Sequence, residues 1–289
     1  MMMRKLQNQR VAETPRNKIL LMSFLMLIVF VSCSPQKKLA YDFVKKSKGA
    51  SVAFYVPNEL EKSNMRSDCN PEIIDLFLLE EDQLQDSIDS KIKILNKIDD
   101  EIFLNVVAAS FEETLEDYGL TLRYLEDENV FTDSLHWIVD LSHVEIQELI
   151  AHQLSSCGVD GNYEFIPITR VNVASWFNLL TESGSELVFT EQNYDEDVVD
   201  CYYTLDSLNN LVTNIEFQDI SIEGFYNFAV VLGKLYAGYS FDYFMNEYVR
   251  REMRNKKKEY SDDIYLRYDP YEAYIYYTRS DKFIPMEGE

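Results

Sequence analysis

The sequence is poor in the residues that several common kinds of functional site require. It contains 9 glycines in 289 residues, and none of them forms the Gly-rich pattern of a P-loop or a dinucleotide-binding turn. Its 3 histidines, His136, His143 and His152, are spaced too widely for a zinc site, which normally includes a closely spaced pair of ligands. We therefore predict no cofactor and no metal, and we interpret the histidines as solvent-facing side chains.

Basic residues are also scarce relative to acidic ones. The chain has 27 Lys and Arg against 50 Asp and Glu, which gives a net charge of −23. Proteins bind nucleic acid largely by neutralising phosphates with Lys and Arg, so a chain this acidic repels it. The composition argues against nucleic acid as a partner. The apolar content of 46% is that of a folded globular protein.

Acidic residues are so abundant that no pair of them stands out for acid–base catalysis. One cluster imitates the start of a calcium loop: Asn193, Asp195, Asp197 and Asp200. However, Val198 occupies the position that needs glycine, and Thr204 occupies the position that needs a bidentate glutamate. We interpret the cluster as a solvated acidic turn, and no residue is predicted to be catalytic.

An apolar run near the beginning of the chain predicts a secretory signal. Ile19 to Val31 follow five basic residues, and these thirteen residues are too few for a membrane-spanning helix, which needs about 20. Ser32 and Cys33 come next, as in a bacterial lipoprotein signal. We expect cleavage before Cys33 and acylation of that cysteine, which would make the lipid bilayer a partner of the mature chain.

The residues around this cysteine resemble the lipoproteins of Bacteroidetes. The resemblance is carried by Phe-Val-Ser-Cys-Ser at residues 30–34. Surface-exported lipoproteins of that group carry acidic residues after the cysteine, whereas residues 34–38 here are Ser-Pro-Gln-Lys-Lys. The resemblance therefore implies a lipid-anchored protein of the cell envelope, at the outer membrane and facing the periplasm.

Three cysteines remain once Cys33 is lipidated, so at least one of them is unpaired. They are Cys69, Cys157 and Cys201. The cell envelope permits disulfides. We consider one bridge, with Cys157 and Cys201 as the candidate pair, although sequence alone leaves the pairing open.

The chain is expected to comprise a signal peptide at 1–32, a flexible tether at 33–49 and a single domain at 50–289. No internal repeat and no linker rich in Pro, Gly or Ser interrupts the last of these. The lysines of the tether are interpreted as a solvated linker, with attraction to anionic headgroups as the alternative.

Periodicity predicts an α+β domain. Its mostly antiparallel sheet has about five to seven strands, packed against one medium helix and one long C-terminal helix. The medium helix covers Asp99 to Tyr118, and the long helix is capped by Asp219 or Ser221 and ends in basic residues. The strands are predicted at 51–57, 120–125, 135–146, 163–180, 186–190, 198–204 and 211–217.

Two segments carry alternatives. The region around Ser142 is either one long bulged strand, which we prefer, or a helix that begins at Ser142 with Glu145 in a capping box. The tail from Tyr260 to Tyr277 contains seven tyrosines and could form a hairpin around Asp269 and Pro270. Its tyrosines either bind a sugar or a partner, or simply suit a strand.

Two stretches resemble a family of Bacteroidetes envelope lipoproteins. They are Val171–Phe177 and Ala237–Val249, and the resemblance extends over residues 50–270. It implies no activity and assigns no functional residue. From the anchor and the missing motifs we expect a noncatalytic binding or assembly component with an envelope protein as its partner. The alternatives are an envelope hydrolase and a protein that binds a glycan or another small molecule.

Replacement of Cys33 by Ala is expected to release the protein from the membrane fraction, because the acylated residue is lost. Fractionation of cells that express Cys33→Ala or Ser34→Ala would test this, with Ser34→Ala expected to remain in the membranes. Retention of the Cys33→Ala protein in the membrane fraction would contradict the lipoprotein signal.

Overall fold

The computed structural model describes residues 34–65, 92–123, 137–155, 157, 164–181, 184–257 and 265–286. The predicted signal peptide, Cys33, Cys69 and His136 lie outside the described residues. Within them, no helix combines the length and the apolar character that a membrane crossing requires.

The described chain has an α+β fold, as predicted. In chain order its helices are α1 (Pro35–Lys46), α2 (Asp100–Asp117) and α3 (Ile222–Asn255). The strands are β1 (Ser51–Tyr55), β2 (Glu61–Asn64), β3 (Thr121–Arg123), β4 (Trp137–Ser155), β5 (Glu164–Thr181), β6 (Gly184–Asp195), β7 (Asp197–Leu205), β8 (Leu211–Gln218), β9 (Tyr265–Asp269), β10 (Tyr274–Thr278) and β11 (Ile284–Pro285). A short 3₁₀ turn at Leu95–Lys97 precedes α2.

Seven strands form one mixed sheet in the order β11–β6–β5–β4–β1–β3, with β2 beside β4. Antiparallel pairs join β4, β5 and β6, whereas β1 is parallel to both β3 and β4. The parallel pair of β1 and β3 follows from their connection, because the chain returns through α2 before it forms β3. A register shift between Leu141 and His143 confirms the long bulged strand at β4 and excludes a helix at Ser142.

The predicted strands do not all join one sheet. Strands β4 to β6 pair in sequence order, but among the described strands β7 and β8 pair only with each other. Alternating sequence patterns show that a segment is a strand without showing which strand it joins, because pairing is decided by distant residues. The Tyr-rich tail does form the predicted hairpin, made of β9 and β10.

Residues 35–46 are helical rather than a flexible tether, so that prediction is wrong for this segment. Pro35 occupies the first turn of α1, where its missing N–H costs nothing. Leu39, Ala40, Phe43 and Val44 recur on one face and are all buried. The lysines of this segment predict a solvated linker, whereas its apolar stripe determines the helical conformation.

Side chains cap the beginnings of α2 and α3, and of the two predicted candidates for α3 the cap is Ser221 rather than Asp219. The side chain of Asp99 accepts a hydrogen bond from the N–H of Ile102, and that of Ser221 accepts one from the N–H of Gly224. Gly119 follows α2 with a φ of 78°, the left-handed conformation that favours glycine at a helix end.

The 34-residue helix α3 forms the centre of the fold. Its fully buried side chains line two stripes along its length: Phe225, Leu232, Tyr236, Phe241, Met245 and Val249. Helix α2 crosses it at Gly233, where a Cβ would lie 2.4 Å from the carbonyl oxygen of Val107. The two backbones can approach this closely only because residue 233 has no side chain.

Replacement of Gly233 by Ala is expected to lower the free energy of unfolding by about 2 kcal/mol. Overpacking of a core typically costs about 1–3 kcal/mol, whereas the better helix propensity of Ala returns at most about 1 kcal/mol. Asn227→Ala, at an exposed position of the same helix, is the matched control and should not destabilise the protein. Urea unfolding of the three proteins measures the difference, and equal stability of Gly233→Ala and wild type would contradict the close contact.

Candidate interaction surface

The far ends of β4 and β5 carry exposed apolar side chains on one face of the sheet, whereas Ile166 and Ile168 on the other face are buried. Val144 and Ile146 in β4 are buried, but farther along the same face Leu154 is 55% exposed. Its cross-strand neighbour Phe165 is 72% exposed. We call residues 150–155 and 164–169, together with the β7–β8 hairpin (residues 197–218), the arm.

A buried glutamate fixes the base of the arm. The side chain of Glu148 in β4 is fully buried, and its carboxylate accepts backbone hydrogen bonds from Lys93, Ile94 and Leu95 at 2.8, 3.0 and 3.3 Å. A carboxylate with three N–H donors is well compensated for burial, because hydrogen bonds to an ionised group are stronger than those between neutral groups. Glu148 thereby binds the 3₁₀ turn to the middle of β4.

A second buried glutamate holds the point where β6 passes into β7. The carboxylate of Glu196 accepts hydrogen bonds from the N–H of Thr169 at 2.9 Å and from Nζ of Lys93 at 2.7 Å. Lys93 also pairs with Asp219 at 3.0 Å, just before α3, and this hydrogen bond lowers the pKa of Asp219. Lys93 therefore connects the start of the hairpin to its end.

A disulfide attaches the hairpin to the loop between β4 and β5. It joins Cys157 and Cys201, the candidate pair of the sequence analysis, with Cα atoms 5.7 Å apart. The hydroxyl of Tyr203 donates a hydrogen bond to the carbonyl oxygen of Cys157 at 3.0 Å. The arm is thus held at its base by buried charges and farther out by a covalent bond.

The β7–β8 register divides the hairpin into an apolar face and a polar face. On the apolar face Leu205 lies opposite Leu211, and these two side chains are 64% and 51% exposed. On the other face, which we call the polar face, Asp200 lies opposite Glu216 and both are exposed, and this face also carries the exposed Tyr202 and Val212. Further exposed apolar side chains of the arm are Val199, Tyr202, Tyr203, Leu208, Val212 and Phe217.

Such a concentration of exposed apolar side chains differs from the scattered single residues that every protein surface carries. Contiguous apolar surface on a soluble domain generally marks an interaction site. On the apolar face of the hairpin, Cys201 is bonded to Cys157, whereas Leu205 and Leu211 are exposed. The arm is therefore the candidate interaction surface.

A polar cleft of about 230 Å³ lies between α3, β6 and the end of the chain. Its charged groups already have partners. The hydroxyl of Tyr243 donates to Glu186 at 2.7 Å, Glu247 pairs with Arg250, and Nζ of Lys282 lies 5.2 Å from the ring centroid of Tyr265. Burial and the hydrogen bond to Glu186 raise the pKa of Tyr243.

Among the carboxyl groups that the structure describes, Asp242 has the most strongly raised pKa and lies inside the fold. Asp242 in α3 is fully buried, and it accepts hydrogen bonds from Nε of Arg267 at 3.0 Å and from the N–H of Tyr268 at 2.9 Å. Burial raises the pKa of Asp242 to about 7, against the opposing effects of Arg267 and Tyr268. Because Asp242 has no access to solvent, its role is to attach β9 to α3 rather than to contact a substrate.

The other residues considered from the sequence are dispersed. Asp195 of the supposed calcium loop pairs with Arg170, and within the described residues no three His, Cys, Asp or Glu side chains are grouped to hold a metal. His143 lies 3.1 Å from Glu61, whereas His152 is exposed. In the tail, Nζ of Lys37 lies over the rings of Tyr274 and Tyr277, at 5.2 and 4.8 Å from their centroids.

Sequence comparison adds no assignment. No model of a known protein family matches the chain, and no curated protein is significantly similar to it.

Replacement of Asp242 by Asn is expected to remove a pH dependence from the stability of the protein. The pKa of Asp242 is about 7 in the folded state, against about 3.9 unfolded, so between these values the folded state binds more protons. Its contribution to stability is therefore largest near pH 4 and is lost as the pH rises to 7. From pH 5 to pH 8 the wild type should lose about 2–3 kcal/mol relative to Asp242→Asn.

Urea unfolding of both proteins at the two pH values measures this difference. A wild type and an Asp242→Asn variant whose free energies of unfolding change in parallel would contradict it. The asparagine keeps the shape of the side chain and one acceptor oxygen, so the variant is expected to fold.

Proposed function

We propose that this protein is a lipid-anchored component of the bacterial cell envelope that binds a protein partner through the arm and does not act as a catalyst. The observation that carries the proposal is the exposure of apolar side chains on a firmly held hairpin, with Leu205 and Leu211 as the pair next to its turn. Burial of apolar surface is the dominant favourable contribution to most protein–protein association.

The attachment of the arm favours binding. A partner that binds a flexible loop must offset the entropy lost when the loop becomes ordered, whereas a surface that is already ordered avoids this cost. Glu148, Glu196 and the Cys157–Cys201 disulfide order the arm before any partner arrives.

The position of α1 supports a defined orientation at the membrane. Helix α1 begins at Pro35, two residues after the predicted lipidation site, so the fold would lie close to the bilayer. Phe43 of α1 packs on Tyr248 and Phe241 in the second half of α3, whereas Asp219 and the base of the arm adjoin its beginning. At 1.5 Å per residue these two regions are roughly 30–40 Å apart along α3.

The anchor is therefore nearer the second half of α3, and the arm adjoins its beginning. We expect the lipid to hold the end near α1 at the membrane and the arm to extend toward a partner away from the bilayer surface. This arrangement suits a protein that links the membrane to another envelope component.

Cross-linking in intact cells, followed by detergent extraction and mass spectrometry, tests the proposal. The wild type is expected to yield one reproducible, near-stoichiometric protein partner, and a variant with both Leu205→Ser and Leu211→Ser is expected to lose it. The matched control combines Leu187→Ser and Val231→Ser, two apolar residues outside the arm that are 53% and 55% exposed.

The purified partner should then bind the control variant as it binds the wild type, and bind the arm variant at least about tenfold more weakly. If the arm variant keeps the partner at wild-type level, or if no protein is recovered with the wild type, the proposed function is wrong.

A further inference from the structure

We infer that the arm binds its partner by strand addition. In this inference, which rests on the proposed function, an extended segment of the partner pairs with the outer edge of β8, and apolar and basic residues alternate along that segment. Strand addition to an exposed sheet edge is a general mode of peptide recognition, in which the backbone supplies affinity and alternate side chains supply specificity.

The outer edge of β8 is open. Within the described chain, β8 pairs with β7 and with no other strand. The outer edge of β7 is less accessible than that of β8. Cys201 of β7 is bonded to Cys157, and its N–H already donates to Oδ1 of Asp200 at 2.7 Å. An unpaired strand edge presents a row of backbone donors and acceptors to any extended chain.

The hydrogen-bond pattern of the hairpin shows which groups face that edge. The N–H of Asp206 donates to the carbonyl oxygen of Asn210 at 2.9 Å, while the N–H of Asn210 donates to Oδ1 of Asp206, so the backbone of Asp206 faces inward as in a hydrogen-bonded pair. Hydrogen-bonded and non-hydrogen-bonded pairs alternate along an antiparallel ladder. Thr213 lies opposite Tyr203, and Ile215 lies opposite Cys201. Both are non-hydrogen-bonded pairs, so the backbone N–H and C=O groups of Thr213 and Ile215 point away from β7.

The two faces of the hairpin determine which side chains of the added strand would fit beside it. Successive residues of a strand point to opposite faces, so an added segment places every second side chain beside the apolar face. Its other side chains lie beside the polar face, where Asp200 and Glu216 are directly opposite each other. Like charges in this position destabilise a strand pair, and a neighbouring cation would relieve the repulsion.

The surrounding sequence has no cation of its own to do so. No Lys or Arg occurs between residues 171 and 233, and residues 197–218 carry four acids and no base. The complementary segment is therefore one in which apolar residues alternate with Lys or Arg. Anionic lipid headgroups are a poor fit for the same reason, because the arm would repel them.

A labelled peptide of four Lys-Val repeats serves as the probe, and its binding to the full-length mature protein is measured by fluorescence anisotropy. Two further peptides control for charge and order: four Glu-Val repeats, and a peptide with four Lys followed by four Val. The alternating basic peptide is expected to bind at least about tenfold more tightly than either control, and added salt should weaken its binding.

Two variants at Thr213 separate strand pairing from general attraction to an acidic protein. Thr213→Pro removes one outward N–H, and proline is tolerated at an edge strand whose N–H faces solvent. Thr213→Ala removes the side chain but keeps the N–H, so it is the matched control. The alternating peptide is expected to lose at least about tenfold in affinity for Thr213→Pro and little for Thr213→Ala.

Slowed amide exchange at Thr213 and Ile215 in the peptide complex is a second readout that does not depend on a substitution. If the block peptide binds as well as the alternating one, if Thr213→Pro binds like wild type, or if no peptide binds, strand addition is wrong. A cellular partner that is lost with the Leu205 and Leu211 variant would still support the proposed function in each of these cases.

Discussion

The burial of α3 on several sides at once is the interaction on which the rest of the structure depends. Phe177 of β5 contacts it at Tyr236, α2 contacts it at Gly233, and α1 contacts it through Phe43 and Phe241. Each of these elements alone has an apolar face that must be covered, and α3 covers all of them. Because α3 is buried on several sides over much of its length, its apolar side chains depend on all of these neighbours, and the layers stabilise one another.

Buried carboxylates then position the elements that hydrophobic burial leaves undetermined. Asp242 holds β9 through Arg267, Glu148 holds the 3₁₀ turn, and Glu196 holds the start of the arm through Thr169. Apolar packing is nondirectional, whereas each of these groups requires particular donors at hydrogen-bonding distance. The fold thus combines a core that supplies stability with a few charged contacts that fix orientation, and the orientation of the arm is the one that bears on the proposed function.

The arm differs from the remaining molecule because it leaves apolar side chains and a strand edge exposed, which is unfavourable for an isolated domain. An alternating hairpin with Leu205 and Leu211 facing solvent exposes apolar area that could have been polar, and the edge of β8 offers unpaired backbone groups. Where local features conflict with stability, functional sites are the usual location. The polar cleft near Tyr243 shows no such conflict, because its charged groups pair with one another.

The sequence by itself determined the secondary structure of most of the described chain. Periodic apolar residues and the caps at Asp99 and Ser221 specify α2 and α3, and alternation specifies the strands, because these patterns depend on neighbours within a few residues. Only the tertiary structure decided that β7 and β8 leave the sheet, that 35–46 is a packed helix, and that Glu148 and Asp242 are buried. An acidic residue is normally exposed, and these two are buried because donors far away in sequence, from Lys93 to Leu95 and from Arg267 to Tyr268, are brought to them by folding.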